Sequence, residues 1–196
     1  MKKSLIALAV LAMSASITVR AKTRDAAFGF RMGAGFAGDV NRTHPASILP
    51  GLQDVTNPVR LFGDAAIINT AANSYRAFLS TDAAVTKLAG VLVRPYPTQQ
   101  TSGGMSSPLG AIAANVTGVV DVVNEGFVMV RCNNFAAQQP TKGGAVFIWI
   151  TASAGSHVQG GFESTVNAGN TVAISNAMFN GPGDANGICE LQVMAN

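Results

Sequence analysis

Charged side chains are scarce in this chain of 196 residues, at 12% of the sequence against roughly 25% in ordinary soluble domains. The chain also has only one Trp, two Tyr, two Cys and two His. A surface that is mostly neutral and apolar suits a subunit that stays packed against neighbours. The apolar share of 48% allows a substantial core and excludes a chain that is disordered throughout.

The shortage of histidine and cysteine limits the chemistry available. Nucleophilic catalysis needs a base, and His44 and His157 are the only histidines. No G-x-S-x-G turn occurs, and neither Cys132 nor Cys189 has a histidine beside it in sequence. The four residues also lack the close spacings of zinc fingers and ribbons. We therefore predict a protein that is not an enzyme and has no metal and no cofactor, while pairing of the two cysteines stays open.

One glycine motif could suggest a nucleotide. Residues 33–38 match the spelling G-x-G-x-x-G, which in dinucleotide sites turns a strand into a helix that faces the pyrophosphate. Here the residues that follow have no apolar helical face and soon reach Pro45. The match reflects the abundance of glycine, and no dinucleotide site is predicted.

Positive charge is concentrated at the start of the chain. Residues 1–42 hold seven basic and two acidic residues, so their net charge is +5, whereas the remainder holds six basic and eight acidic residues and is at −2. Such a segment can be a solvated terminus or can touch an acidic partner. No Lys/Arg run interleaved with aromatic residues is present, so no direct contact with nucleic acid is predicted.

Residues 1–21 imitate a secretory signal peptide. Lys2 and Lys3 precede the apolar stretch Ser4–Met13, and small residues near Ala15 and Ala21 could mark cleavage. The stretch is too short to span a bilayer as a helix, and no membrane partner is predicted. The segment keeps export, with a periplasmic or secreted location, as an alternative.

The remaining pattern predicts three regions. Residues 1–24 form an N-terminal extension, and residues 25–58 form an extended arm because Gly and Pro recur every few residues. Residues 59–196 form a β domain of short apolar runs separated by turn residues. The predicted strands are Ala65–Asn69, Tyr75–Leu79, Lys87–Arg94, Val119–Val123, Phe127–Cys132, Ala145–Thr151, Val158–Glu163, Thr171–Ser175 and Ile188–Met194.

Many short strands at close spacing predict a mainly β fold, either a small antiparallel barrel or a jelly-roll-like sandwich, with the extended N-terminal arm in front. The residues 124–126 (Asn-Glu-Gly) are expected to turn a hairpin between two of the strands. Residues 81–89 are the one helix candidate.

The arm carries aromatic side chains that no local core can bury. Exposed phenylalanine is unfavourable in water, and its full burial contributes about 1.5–3 kcal/mol. These rings either fold back onto the β domain or dock into a partner, where a nearby arginine could meet a carboxylate. The predicted contact residues are Phe28, Phe30, Arg31, Phe36, Arg42 and His44.

Several segments together resemble the capsid cement, or head decoration, proteins of tailed bacteriophages. The resemblance runs from about residue 27 to the C-terminus and rests on the joint order of the segments, whereas residues 1–24 do not belong to it. The resembling segments are Phe28–Arg31, Gly33–Gly35, Gly38–Val40, Arg42–Ile48, Gly90–Tyr96, Lys142–Phe147, Gly155–Glu163 and Phe179–Pro182.

This resemblance implies a structural virion protein on the outer surface of an icosahedral head. The protein would bridge neighbouring major capsid subunits, its main partner, and strengthen the shell. Many copies on a lattice gain avidity without a large interface each. Association of copies into a homo-oligomer around a local symmetry axis is also expected. The alternative is an exported β-rich adhesion or binding protein.

Overall fold

The computed structural model describes residues 35–40, 42, 46–94 and 118–195. The strands within these ranges are β1 (Ser47–Leu52), β2 (Ala65–Asn69), β3 (Ser74–Arg76), β4 (Gly90–Leu92), β5 (Val119–Arg131), β6 (Val146–Trp149), β7 (Phe162–Glu163), β8 (Thr171–Ile174), β9 (Ala177–Phe179) and β10 (Ile188–Val193). One turn of 3-10 helix at Ser80–Asp82 is the only helix in the described ranges, so the expected helix over 81–89 does not form. No helix in the described ranges has the length and apolar character needed to cross a membrane.

The strands form two antiparallel sheets. The larger sheet has the order β3-β2-β4-β5-β10-β9, and β1 also pairs with β5; the smaller sheet has the order β7-β6-β8. Apolar side chains of both sheets, among them Ile148, Phe162, Phe179 and Leu191, are fully buried in one cluster together with Phe78, which follows β3. The prediction of a mainly β, sandwich-like fold is confirmed.

The long strand β5 corrects the predicted hairpin at residues 124–126. The chain runs straight on from Val119 to Arg131 as one strand, with Gly126 at a φ of +130°, a region that favours glycine. The first half of β5 pairs with β1 and β4, and the second half pairs with β10. Gly126 therefore marks the place where the strand changes partners, a long-range arrangement that the local turn signal could not reveal.

The predicted boundary between arm and β domain at residue 59 differs from the observed pairing. Residues 47–52, within the predicted arm, form β1 and pair along their whole length with the first half of β5. Pro50 and Gly51 gave this segment the pattern of a loop, but an edge strand tolerates proline because one side of its backbone makes no ladder bonds. The larger sheet thus begins inside the predicted arm.

The larger sheet curls around a second, smaller cluster of buried residues: Val59, Ala66, Leu92, Val120 and Val122. After β1 the chain continues beside β3, where the Asp54 N–H donates to the Tyr75 carbonyl at 2.8 Å. The Tyr75 ring packs inside this curl and occupies the space that a side chain at Gly51 would need. The position of the Tyr75 ring therefore explains why residue 51 in β1 is a glycine.

Candidate interaction surface

The structure describes two of the six predicted contact residues. Phe36 and Arg42 lie in the described ranges, whereas Phe28, Phe30, Arg31 and His44 lie outside them. For those four the assignment stays a prediction.

Residues 35–40 are anchored on the β domain by their backbone. The Gly38 N–H donates to the Met129 carbonyl at 2.7 Å, and the Met129 N–H donates to the Asp39 carbonyl at 2.8 Å, which extends the sheet beside the second half of β5. On the other side the Arg94 N–H donates to the Gly38 carbonyl at 3.0 Å. We call residues 35–40 the anchor, because this segment holds the arm to the β domain.

Close packing explains the glycine at the centre of the anchor. Gly38 has a φ of +88°, and a Cβ there would lie 2.7 Å from the Cβ of Phe62 and 3.2 Å from the Gly63 nitrogen. Both the backbone conformation and the contact therefore exclude a side chain. Gly38 is therefore required by packing against Phe62 and Gly63.

Phe36, near the start of the anchor, is partly exposed to solvent. Its side chain is 47% exposed, and the Arg94 guanidinium lies 5.3 Å from the centre of its ring. Arg94 also approaches Asp39 at 3.3 Å; burial lowers the pKa of Arg94, and Asp39 opposes that shift. A cation beside an aromatic face is attractive, but it leaves part of the Phe36 ring available to a second chain.

Arg42 meets a carboxylate of its own chain. Its Nε and Nη2 donate to the two oxygens of Glu190 at 2.9 and 2.8 Å, and its guanidinium lies 4.4 Å from the centre of the Phe127 ring. Asn180 also donates to Glu190. The Arg42 side chain is nevertheless 50% exposed, so its outward donors can still reach a partner.

The strand β1 presents an apolar surface that sequence reasoning missed. Ile48, Pro50 and Leu52 alternate along one face of the strand and are all exposed, and Val119 lies directly opposite Leu52 on β5. Leu52 is 57% exposed and Val119 is 66% exposed. We call Ile48, Pro50, Leu52 and Val119 the apolar strip. Its signal in the sequence is the apolar run 48–52, whose Pro and Gly pointed to a loop.

Further apolar surface lies beyond the end of β1. Val55 is 73% exposed and Ile68 is 53% exposed. The Asn69 side chain next to Ile68 donates to the Asp54 carboxylate next to Val55 at 2.6 Å, so the two segments lie side by side. Contiguous exposed apolar side chains are typical of protein contact sites.

The outer edge of β1 is suited to side-chain contacts more than to a further strand. The Gln53 N–H donates to Gly118 on the β5 side, so by alternation the backbone groups of Ile48 and Pro50 point outward, whereas the end of β1 lies beside Tyr75 of β3. Proline has no N–H, which interrupts the row of donors that an added strand would need. A partner would therefore bind this edge chiefly by covering its apolar side chains.

The polar chemistry elsewhere is explained by local structure. His157 lies in a turn, where its Nδ1 makes a 2.7 Å contact with the buried carboxylate of Glu163 and its ring stacks on Trp149 at 4.2 Å. No group of three or more His, Cys, Asp or Glu side chains in the described part of the chain could hold a metal ion.

The two cysteines are free thiols on neighbouring strand segments. Both Cys132 and Cys189 are buried, and no disulfide joins them. The hydrogen bond with Cys132, together with burial, raises the pKa of the Cys189 thiol. A thiol that stays protonated is a poor nucleophile and a poor metal ligand.

Comparison with known proteins adds to this geometry. The family model described as XM1 gp53 minor capsid protein matches residues 26–193. A chain in the solved structure "The capsid of Myoviridae Phage XM1" has a similar fold, with a TM-score of 0.57 and 17% sequence identity over 84% of this chain and 93% of that chain. No curated protein matches the sequence.

Proposed function

Because the chain belongs to the XM1 gp53 minor capsid protein family, we propose that it binds the outer surface of a phage head and cements neighbouring major capsid subunits. The chain acts in this role as a non-enzymatic part of the virion. The observation that carries the proposal is the apolar strip on β1, exposed beside an arm that is fastened to the same β domain.

The apolar strip supplies the adhesive surface. Leu52 and Val119 lie opposite each other and expose more than half of their side chains. Covering the exposed part of each such side chain contributes about 1 kcal/mol or more. Association has a cost in lost motion, so one copy gains modest affinity and many copies on a lattice gain avidity.

The part of the arm that precedes β1 supplies a second contact. Residues 35–40 are joined to β5 by backbone hydrogen bonds, and five basic residues with no acidic residue precede the arm in residues 1–24. Phe28, Phe30, Arg31, Phe36, Arg42 and His44 are its proposed contact residues. We propose that the strip and these residues contact two different capsid subunits, as bridging requires.

Binding to undecorated heads tests the proposal. A chain that lacks residues 1–34 keeps the anchor and the apolar strip, and we expect it to fold and to bind heads more weakly than the full chain. A Leu52→Ser chain keeps the arm and should also bind more weakly. Unchanged affinity in both variants, with circular dichroism showing the native fold, would contradict the proposed contacts.

A second candidate function follows from residues 1–21. Their pattern of two lysines followed by an apolar stretch favours an exported β-rich adhesion or binding protein. N-terminal sequencing of the natural protein separates the two. A start near residues 14–22 in a periplasmic fraction favours export, and recovery from purified virions favours cementing.

The oligomeric state is a further part of the proposal. Copies that cluster around a local symmetry axis of the head would form a homo-oligomer. Sedimentation of the purified chain over a range of concentrations measures whether such an oligomer already exists without the capsid.

A further inference from the structure

The start of the anchor is a turn that Asp39 closes. The Asp39 N–H donates to the Phe36 carbonyl at 3.0 Å, and the Phe36 N–H donates to Oδ2 of the Asp39 carboxylate at 3.1 Å. The other carboxylate oxygen, Oδ1, lies 3.3 Å from Nε of Arg94. The carboxylate therefore joins the turn to one arginine of the β domain.

Arg94 meets this turn with both its backbone and its side chain. Its N–H donates to the Gly38 carbonyl, and its Nε donates to the Ala37 carbonyl, both at 3.0 Å. Arg94 lies two residues after β4, and the N–H of Val93 before it donates to the Asp121 carbonyl on β5 at 2.9 Å. The arginine is thus fixed by the larger sheet and contacts three successive residues of the anchor.

The guanidinium of Arg94 contacts two aromatic rings. Its central carbon lies 5.3 Å from the centre of the Phe36 ring and 5.6 Å from the centre of the Phe62 ring. The Arg94 side chain is only 9% exposed, and a cation is attracted to an aromatic face more strongly where water is excluded. Phe62 belongs to the β domain, where it packs against the smaller core cluster. The guanidinium therefore holds the Phe36 ring beside the β domain while part of the ring stays in solvent.

The neighbouring glycines make this restraint on the ring important. Gly35 precedes Phe36 and Gly38 lies within the turn, and glycine populates more backbone conformations than other residues. Ordering a mobile side chain costs free energy when a partner binds, and a ring that is already held avoids that cost. The contacts of Arg94 therefore prepare the exposed part of Phe36 for binding.

We propose that Arg94 is a positioning residue for the arm: it holds the anchor on the β domain and fixes the Phe36 ring in the orientation that a partner meets. The proposal rests on the proposed function only for the identity of that partner, a major capsid subunit. Arg94 acts through Phe36, because its own side chain is almost covered. Lysine cannot replace it, since an ammonium group has neither the planar face nor the Nε–H that reaches Ala37.

Amide hydrogen exchange of the free, full chain tests the role of Arg94 without a capsid. The N–H groups of Gly38 and Met129 join the anchor to β5, whereas the Cys132 N–H, which donates to the Gly187 carbonyl at 2.9 Å, reports on the core. We expect Arg94→Lys to speed exchange at the two anchor N–H groups by about tenfold or more and to leave the Cys132 N–H unchanged, because only the anchor opens.

Two further variants sharpen this measurement. Arg131→Lys changes an exposed arginine at the end of β5 and should leave all three exchange rates unchanged. Phe36→Leu removes the aromatic face without altering a buried residue, and it should also speed exchange at the two anchor N–H groups. Unchanged exchange of these groups in Arg94→Lys, or in Phe36→Leu where Arg94→Lys does not fold, would overturn the proposal. Equal acceleration at Cys132 would also overturn it, because Arg94 would then support the whole fold.

Binding to undecorated heads then tests whether Arg94 acts through the ring. The variants compared are Arg94→Lys, Phe36→Ala and the double variant. We expect Arg94→Lys to weaken binding by about fivefold in the otherwise unaltered chain and to have no further effect once Phe36 is replaced. The same loss in both backgrounds would overturn the action through Phe36. If the unaltered chain does not bind heads, the proposed function fails, while the exchange result still decides whether Arg94 holds the anchor.

Discussion

Two segments of the predicted arm lie beside the same long strand but meet it in different ways. The anchor, residues 35–40, joins the second half of β5 through bonds with Met129, and its Gly38 fits against Phe62 with no space for a side chain. The strand β1 pairs with the first half of β5 along its whole length, with one register shift between Ser47 and Ile48, yet Leu52 and Val119 at this pairing stay exposed.

The difference shows that backbone pairing alone does not decide which surface is available. Both segments satisfy backbone groups on β5, but Gly38 of the anchor is tightly packed against Phe62, whereas Leu52 of β1 is exposed. We therefore expect a change at Gly38 to lower the stability of the chain, and changes at the apolar strip to lower its affinity for a partner.

The titrations of Asp64 and Asp54 should change the free energy of unfolding with pH in opposite directions. Asp64 follows the Phe62–Gly63 contact with the anchor, and burial raises its pKa to about 7 from 3.8. Between these values the unfolded chain loses the proton while the folded chain keeps it, so the free energy of unfolding falls as the pH rises. The loss is about 4 kcal/mol, since a difference of one pKa unit corresponds to about 1.4 kcal/mol.

Asp54 follows β1, and hydrogen bonds from Asn69, Asn57 and Thr56 lower its pKa. Its contribution is present above the unfolded pKa of 3.8 and is lost as the pH falls through its lower folded value. Urea unfolding at pH 3 to 8 measures both effects. Asp64→Asn should flatten the curve between pH 4 and 7, and Asp54→Asn should flatten only its acid end. A wild-type stability that does not fall between pH 4 and 7, with Asp64→Asn showing the same profile, would contradict the account of Asp64.

Gly38→Ala should lower the free energy of unfolding by about 3 kcal/mol. Its φ of +88° costs an alanine about 1–2 kcal/mol, and the collision with Phe62 adds about 1–3 kcal/mol. Gly143→Ala is the matched control, because its φ is +74° and nothing lies within 4 Å of the added Cβ. Urea unfolding should show a loss of only about 1 kcal/mol there, and equal losses would refute the packing role of Gly38.

Leu52→Ser should weaken the binding of each copy to undecorated heads by about tenfold, because the apolar burial that is lost contributes about 1.4 kcal/mol. The stability of the free chain should change by less than about 0.5 kcal/mol, because the side chain is already exposed. Val166→Ser is the control, since Val166 is also 67% exposed but lies outside the apolar strip. Equilibrium binding measures both; equal effects of the two changes would remove the strip from the interface.

The Arg42–Glu190 pair should give the smallest effect. An exposed pair contributes up to about 1 kcal/mol to stability, so Arg42→Gln and Glu190→Gln should each lower the free energy of unfolding by less than that. Because Arg42 is a proposed contact with the capsid, we expect Arg42→Gln, but not Glu190→Gln, to weaken binding to undecorated heads. Equal head binding by the two variants would contradict a contact between Arg42 and the capsid.

Local patterns predicted those elements whose side chains alternate or are apolar throughout. Ala65–Asn69 is observed with the expected bounds, and the apolar run at 146–149 forms the buried strand β6. The Asn-Glu-Gly sequence before residue 127 was misleading because Gly126 lies within a strand whose two halves have different partners. Even the nearest of these partners, Leu92 opposite Val122, is 30 residues away along the chain, so no local pattern contains them.

The contact surface was harder to predict than the fold. Phe36 was predicted as a contact residue because phenylalanine in a glycine-rich segment is conspicuous; the structure leaves it 47% exposed, and its contact with a partner stays a prediction. Leu52 and Val119 are ordinary apolar residues whose exposure depends on β1 lying at the edge of the sheet. Likewise, the partner of Arg42 is Glu190, which lies 148 residues away.

An image of the intact particle at side-chain resolution would show directly which surface of this chain contacts the shell. We expect the chain on the outer surface of the head, with Leu52 and Val119 covered by a major capsid subunit and the arm extended over another. A particle in which the apolar strip faces solvent, or in which the chain lies inside the shell, would contradict it.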